Sequence, residues 1–251
     1  MILFDKPSQA IKHSKEKLYN NGWEVFSGKW QSIDVEHSMW ELFNHSLSFK
    51  MPKKVSELRK EVKPNLPWAD DHFQERVGGV GLNPGEQYKN WPYYVYKKSN
   101  DKFRTVDEKF SHTYMERIWP DKLDGIRYKY GNLDDVVDLL KREPYTRQAF
   151  LPIWHPEDTG AVHGERVPCT LGYHFIRREN YFHVFYYIRS CDYIRHFRDD
   201  IYLCVRKLYW ILEQLKNNKN WKGVNPGTFN MFITSLHVFK NEKEILKQSK
   251  I

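Results

Sequence analysis

The chain has 251 residues, 40% of them hydrophobic and 16% aromatic, which is enough apolar material for one sizeable core. A net charge of +8 with a pI near 9.2 suits an anionic partner, whether nucleic acid, phosphorylated small molecule or anionic cofactor. Three cysteines without CxxC spacing argue against a disulfide framework or a structural zinc site. The start, Met1-Ile2-Leu3-Phe4-Asp5-Lys6, meets charge too soon for a signal peptide, and no run of about eighteen apolar residues follows. The expectation is a cytoplasmic protein without membrane segment or metal.

Residues 8–18 form a modestly amphipathic run stopped by Asn20-Asn21-Gly22, which predicts a helix. Residues 40–49 are rich in strand formers and end before Met51-Pro52, which predicts a strand. Residues 62–124 are dense in Pro, Gly, Asn, Trp and Tyr and predict a long irregular binding surface with short elements. Asn132 is a good N-cap; Asp134 and Asp135 favour a helix start, and Lys141-Arg142 precede a stop at Pro144. Residues 171–176 and 181–188, separated by Arg177-Arg178-Glu179-Asn180, predict an antiparallel hairpin. Ile201, Val205, Leu208, Leu212 and Leu215 mark a long amphipathic helix that packs on that sheet. The fold class expected is α+β, and without repeats or linkers the chain reads as one domain, 1–251.

The chemistry is concentrated late in the chain, in Pro144-Tyr145-Thr146-Arg147, Arg166-Val167-Pro168-Cys169-Thr170, Arg189-Ser190-Cys191-Asp192, Phe197-Arg198-Asp199-Asp200 and Ser235-Leu236-His237-Val238-Phe239. Each piece is weak alone. In this order and spacing they resemble the thymidylate synthase superfamily, whose pattern is helix, Pro-Asx-Ser-Arg-Arg, Pro-Cys, Arg-Ser-x-Asp, an Asn eight residues further on, and His-x-Tyr. The resemblance runs from about residue 110 to 240. Thr170 after the cysteine, and Asp200 where synthases carry asparagine, bring the match closer to the deoxycytidylate hydroxymethylases of bacteriophages. What it implies is a thymidylate synthase-like mixed sheet packed by a long helix, with one sheet face forming a homodimer interface. The substrates implied are a nucleoside monophosphate and 5,10-methylenetetrahydrofolate, with no binding to a nucleic-acid polymer; a virus would use the product to alter its DNA precursors in the host cytoplasm.

The resemblance also distributes roles. Cys169 is the nucleophile that adds to C6 of the pyrimidine, chemistry a thiolate does well; its bland alternative is a buried small hydrophobe. Arg189 and Ser190 fall at the substrate phosphate, Arg189 also close enough to favour the thiolate. Arg147 resembles one of two arginines that reach across a dimer to the partner's phosphate, and Gln148 replaces the second. His237 matches the histidine at the sugar 3′-hydroxyl, with Phe239 in place of its tyrosine partner. Asp192 matches the folate-contacting carboxylate. By counting back from Phe110-Ser111-His112-Thr113-Tyr114, Glu75 falls at the general base, with a surface glutamate as the competing reading. Trp91, in Lys89-Asn90-Trp91-Pro92, is a candidate wall for the pterin because planar heterocycles stack on such faces, with a core tryptophan as the competing reading.

Asp200 carries the choice of base. Asparagine matches the N3–H and O4 of uracil, whereas a carboxyl that accepts from N4–H and shares a proton with N3 matches cytosine. Asp199 is expected to cap the following helix, leaving Asp200 free. Only about a dozen residues follow Phe239, which points to an open site in which water, rather than hydride, ends the reaction. The product expected is therefore 5-hydroxymethyl-dCMP. C5 methylation of dUMP or dCMP and hydroxymethylation of CMP are alternatives within the class. Outside it stand a nucleic-acid-binding module and a cysteine hydrolase using Cys169 with His174 or His183 and Asp192.

Overall fold

The structure, a computed structural model, describes residues 2–29, 36–94, 109–120, 132–159 and 167–248. A mixed seven-stranded sheet organises them: β1 (Leu3–Phe4), β2 (Trp23–Lys29), β3 (Glu36–Lys50), β4 (Phe150–Pro152), β5 (Thr170–Arg178), β6 (Tyr181–Asp192) and β7 (Asn225–Phe239). The order is β1-β3-β7-β6-β5-β4, with β2 pairing separately on β3. Pairings β3–β7, β5–β6, β4–β5 and β2–β3 are antiparallel; β6–β7 and β1–β3 are parallel. The helices are α1 (Pro7–Asn21), α2 (Val55–Val62), α3 (Trp68–Arg76), α4 (Tyr114–Ile118), α5 (Leu133–Arg142), α6 (Pro156–Thr159) and α7 (Phe197–Leu215). Short 3-10 turns fill Gln87–Asn90, Lys219–Trp221 and Lys240–Lys247. Among the described residues no helix is long and apolar enough to cross a membrane.

The hairpin and the three predicted helices are present. In α5 the Asn132 side chain accepts from the Asp135 amide at 2.9 Å while Asp135 accepts from the Asn132 amide at 3.1 Å, so two backbone donors that the helix start would strand are satisfied reciprocally. Along α7, Ile201, Val205, Leu208 and Leu215 are fully buried against the inner sheet face, with Phe182, Val184, Tyr186 and Ile188 from β6 opposite. The irregular stretch expected over 62–124 contains only short elements among its described residues, and side chains tie them down. Asp70 accepts from Arg59 at 2.6 Å and from the Tyr202 hydroxyl at 2.6 Å, and pairs with Arg206, which pins α3 to α7. Trp68 Nε1 donates to the Gln87 carbonyl at 2.9 Å, and Asn83 bonds Phe110 through both its amide ends at 2.8 Å.

Four strands escaped the reading of the sequence, the short β1 and β4, β2 and most of the long β7, and so did α2 and α6. Pro226 and Gly227 open β7 as if it were a turn, which masks the run behind them. One expectation is corrected outright. Asp199 does not cap α7, whose N-cap is His196; its carboxylate accepts instead from the Asn65 amide and side chain, both at 2.8 Å.

Candidate active site

The register sets the site. Asp192 on β6 lies opposite His237 on β7, and His237 lies opposite Glu41 on β3, so three polar side chains form a row across one sheet end. Ser190 pairs with Ser235 one step inward. Cys169 immediately precedes β5, where the ladder slips between Thr170 and Gly172 so that Leu171 is an extra residue. Such a bulge re-aims the side chains beside it. Only glycine fits at 172, because a Cβ there would come within 2.5 Å of the Phe150 ring and 2.8 Å of the Leu151 carbonyl.

Cys169 is partly exposed, whereas Cys191 and Cys204 are buried. Its carbonyl accepts from the Arg189 amide at 2.9 Å. The Arg189 guanidinium donates through Nε to Pro168 O at 2.9 Å and through Nη2 to Val167 O at 3.2 Å, and it lies 5.5 Å from the Trp154 ring centre. The strand holding Arg189 and the segment holding the thiol are thus locked together. Arg166, part of the same motif, lies outside the described residues.

Beneath this pair lies a polar and aromatic cluster. Thr170 Oγ1 sits 2.8 Å from the Tyr186 hydroxyl and 3.2 Å from that of Tyr114. Tyr186 stacks on Tyr173 at 4.9 Å, and the Lys207 amine sits 3.3 Å above the Tyr173 ring with no hydrogen-bond partner among the described residues. Asp200 completes the cluster: Cys191 Sγ lies 3.7 Å from its Oδ2, and Tyr186 is among the groups that act on it. Although Asp200 keeps some solvent contact, protein atoms crowd it on nearly every side. Burial pushes its carboxyl up to about 7, against the opposing pull of Arg76.

Asp192 is 8% exposed and fully engaged: Oδ1 accepts from the Ile194 amide at 2.9 Å and the Arg195 amide at 3.0 Å, and Oδ2 from the Arg195 guanidinium at 2.8 Å. Arg195 also reaches both Glu242 oxygens, at 2.8 and 2.5 Å, in the 3-10 turn that follows β7. His237 is buried, and burial lowers its imidazole below the ordinary value. Trp91 stacks on His196 at 4.7 Å, and the Tyr93 hydroxyl donates to the Ile194 carbonyl at 3.3 Å, so the segment carrying Trp91 packs against the residues that follow Asp192.

Glu75 ends α3 with both oxygens occupied. Oε1 accepts from the Glu86 amide at 2.5 Å and the Gln87 amide at 3.0 Å, and Oε2 lies 3.1 Å from His72 Nδ1. Arg76 Nε donates to His72 Nε2 at 3.0 Å. The network therefore assigns a neutral imidazole with its proton on Nδ1, shared with Glu75; burial holds His72 down at about 4, which agrees. Arg147 and Gln148 are both exposed just before β4. The histidines a hydrolase would need bond elsewhere, His174 with the Arg147 carbonyl at 2.9 Å and His183 with Thr228 Oγ1 at 2.8 Å.

Reading the sequence missed His72, Arg76, Tyr186 and Arg195 as site residues. Arg76 adjoins Glu75 and Arg195 follows Asp192 by three, so proximity in sequence was the available signal. On the sheet face opposite α7, Phe150, His174, Phe185, Tyr187 and Phe232 form a chain of ring contacts, with Tyr187 stacked on Phe232 at 5.3 Å. A cavity of about 280 Å³ there is lined by Asn44, Leu171, Tyr187, Ile188, Phe232, Ile233 and Thr234; it lies on this outer face and not at Cys169.

The thymidylate synthase family profile matches residues 39–250. No curated protein sequence matches the chain. Among solved structures, thermostable thymidylate synthase A from Bacillus subtilis superposes with a TM-score of 0.67, covering 96% of this chain and 83% of that one at 14% identity. The shared architecture is the α+β fold with its mixed sheet.

Proposed function

The chain belongs to the thymidylate synthase family, whose chemistry is one-carbon transfer from a reduced folate to C5 of a pyrimidine nucleotide, and within it we propose a deoxycytidylate 5-hydroxymethyltransferase. The observation that carries the choice is Asp200, a carboxyl rather than an amide, held beside Tyr186 and Cys191 within the cluster that underlies Cys169. Cytosine offers N4–H as a donor and N3 as a proton acceptor. A carboxyl sharing one proton with that edge satisfies both, whereas a carboxylate facing uracil leaves O4 without a donor.

In this reading Cys169 adds as thiolate to C6 of the bound base, and Arg189 stabilises the thiolate while binding phosphate with Ser190. Addition at C6 turns C5 into a nucleophile. When bound, 5,10-methylenetetrahydrofolate supplies the one-carbon unit; Trp91 offers its wall and Asp192 its polar contact. A folate or its ordered water fits that wall, because Trp91 Nε1 is buried without an acceptor among the described residues. His237 holds the sugar 3′-hydroxyl. Glu75 anchors the proton-transfer side, its carboxylate acting through His72.

We read 1–251 as one catalytic domain that pairs with a second copy through the aromatic sheet face. Phe150, on that face and 40% exposed, would otherwise stand in water. Arg147, with Gln148 donating a neutral hydrogen bond, then reaches the phosphate bound by the partner. A monomeric enzyme by light scattering that turns over at full rate would overturn this arrangement.

The test of the activity is tritium release from nucleotides labelled at C5, offering dCMP, CMP and dUMP with methylenetetrahydrofolate and using Cys169→Ala as the control. Release from dCMP foremost, with a hydroxymethyl product by mass, is expected. No release from any of the three removes the enzymatic reading, and a methyl product with dihydrofolate formation replaces hydroxymethylation by methylation.

A further inference from the structure

Arg76 is 5% exposed, forms no ion pair with either Asp199 or Asp200, and is aimed by its neighbours. His72 takes its Nε–H, Glu75 fixes His72, and the Arg76 carbonyl accepts from Trp119 Nε1 at 3.0 Å. Its guanidinium carbon lies 4.3 Å from the centre of the Tyr114 ring, whose hydroxyl contacts Thr170 and through it Tyr186, a group that acts on Asp200. The groups facing Asp200 are Asp199 and Cys204 on α7, Cys191 and Tyr186 on β6, Tyr173 on β5, Tyr114 on α4 and Arg76 on α3. Burial drives the neighbouring Lys207 amine well below an ordinary lysine, and it drives the Cys191 thiol well above an ordinary thiol, which keeps that thiol protonated. Among the described residues, Arg76 is the cation whose pull opposes the burial of this carboxylate.

We propose that Arg76 selects and activates the base, by keeping the negative charge on Asp200 and so placing the shared proton on N3 of cytosine. The inference rests on the reading of Asp200 given above. Both complexes contain one added proton. With cytosine it can reside on N3, leaving Asp200 ionised and still attracted by Arg76; N3–H⁺ also withdraws electrons from C6, where the Cys169 thiolate forms its bond. With uracil, N3 is already protonated and O4 needs a donor. The extra proton must then sit on Asp200 itself, which forfeits the attraction. Arg76 acts on the reacting atoms only through Asp200 and is a positioning residue.

The experiment compares wild type, Arg76→Gln and Arg76→Lys with dCMP and dUMP, together with the ultraviolet band of dCMP bound to the Cys169→Ala variant. In Arg76→Gln the dCMP preference in kcat/KM should fall at least about tenfold, the equivalent of one unit of carboxyl proton affinity. The loss for dCMP should appear in kcat more than in KM, and Arg76→Lys should recover part of it. Bound dCMP should show the band of N3-protonated cytosine when Arg76 is present and the neutral band when it is replaced by Gln. Equal losses on both nucleotides overturn the proposal. So does a neutral band in the Arg76-containing protein, a measurement that stands even if Arg76→Gln does not fold. Absence of turnover in wild type instead strikes the proposed function itself.

Discussion

The two regions that meet at Cys169 are positioned by different forces. From β5 to β7, site residues are placed by strand register and the start of α7: Arg189, Asp192, Asp200 and His237 sit where a backbone ladder or a helical turn puts them. In the region carrying α3 and α4, placement depends on single side-chain bonds, such as Trp119 to Arg76, Thr113 Oγ1 to the Leu82 carbonyl at 2.6 Å, and Glu75 to the Glu86 and Gln87 amides. A ladder spreads its position over many bonds, so losing one side chain leaves geometry intact. A clamp made by one carboxylate does not share that tolerance. Substitutions on the sheet side should therefore damage chemistry while sparing stability, and substitutions on the clamp side should damage both.

The sharpest separation comes from Cys169→Ala, expected to lower tritium release by at least about 10⁴-fold, as nucleophile removal does elsewhere, with an unchanged melting temperature. Next in size, Arg117→Met should break the clamp side. Arg117 donates to both Asp158 oxygens at 2.9 and 2.7 Å, and leaving that carboxylate buried without its partner costs about 3–5 kcal/mol by denaturant titration. An equally stable Arg117→Met protein would erase the distinction drawn here. Asp199→Ala frees the Asn65 amide and should cost about 1–3 kcal/mol. Asn132→Ala, which removes one cap far from the chemistry, should cost only about 1 kcal/mol and leave turnover as it was.

Acidity gives a further handle on the same boundary. Because the Asp200 carboxyl is raised to about 7, the folded protein holds a proton that the unfolded chain has already released between roughly pH 4 and 7. Its contribution to stability falls as pH rises through that window and is level above it. Asp200→Asn lacks this slope, so its melting temperature relative to wild type should climb from pH 4 to 7, while it turns over dUMP in preference to dCMP. His45 and His72, both lowered by burial to about 4, act in the opposite sense and are common to both proteins. A flat difference would show that Asp200 ionises like an exposed acid.

The same division explains what the sequence made legible. The Asn132 helix, the hairpin and the α7 stripe announce themselves through caps and periodicity, and the motif from Cys169 to His237 keeps its spacing because strands and helices have fixed rise. The Asp199 expectation failed because an acid at a helix start has two outlets, its own amides or a distant donor, and Asn65 lies 134 residues away. Arg76 offered only the weak signal of adjoining Glu75. Its significance depends on Tyr114 and Asp200, which the chain brings together only by folding, and a buried arginine and a solvated one look alike in sequence.

Arg195 joins Asp192 at the sheet end to Glu242 in the turn after β7, a continuous run of alternating charges. A guest that draws on Asp192 competes with Arg195, the same guanidinium that holds Glu242 in its turn. Occupancy of one end should thus be readable at the other as faster amide exchange in residues 240–247, which makes the tail a natural reporter for what binds beside Trp91.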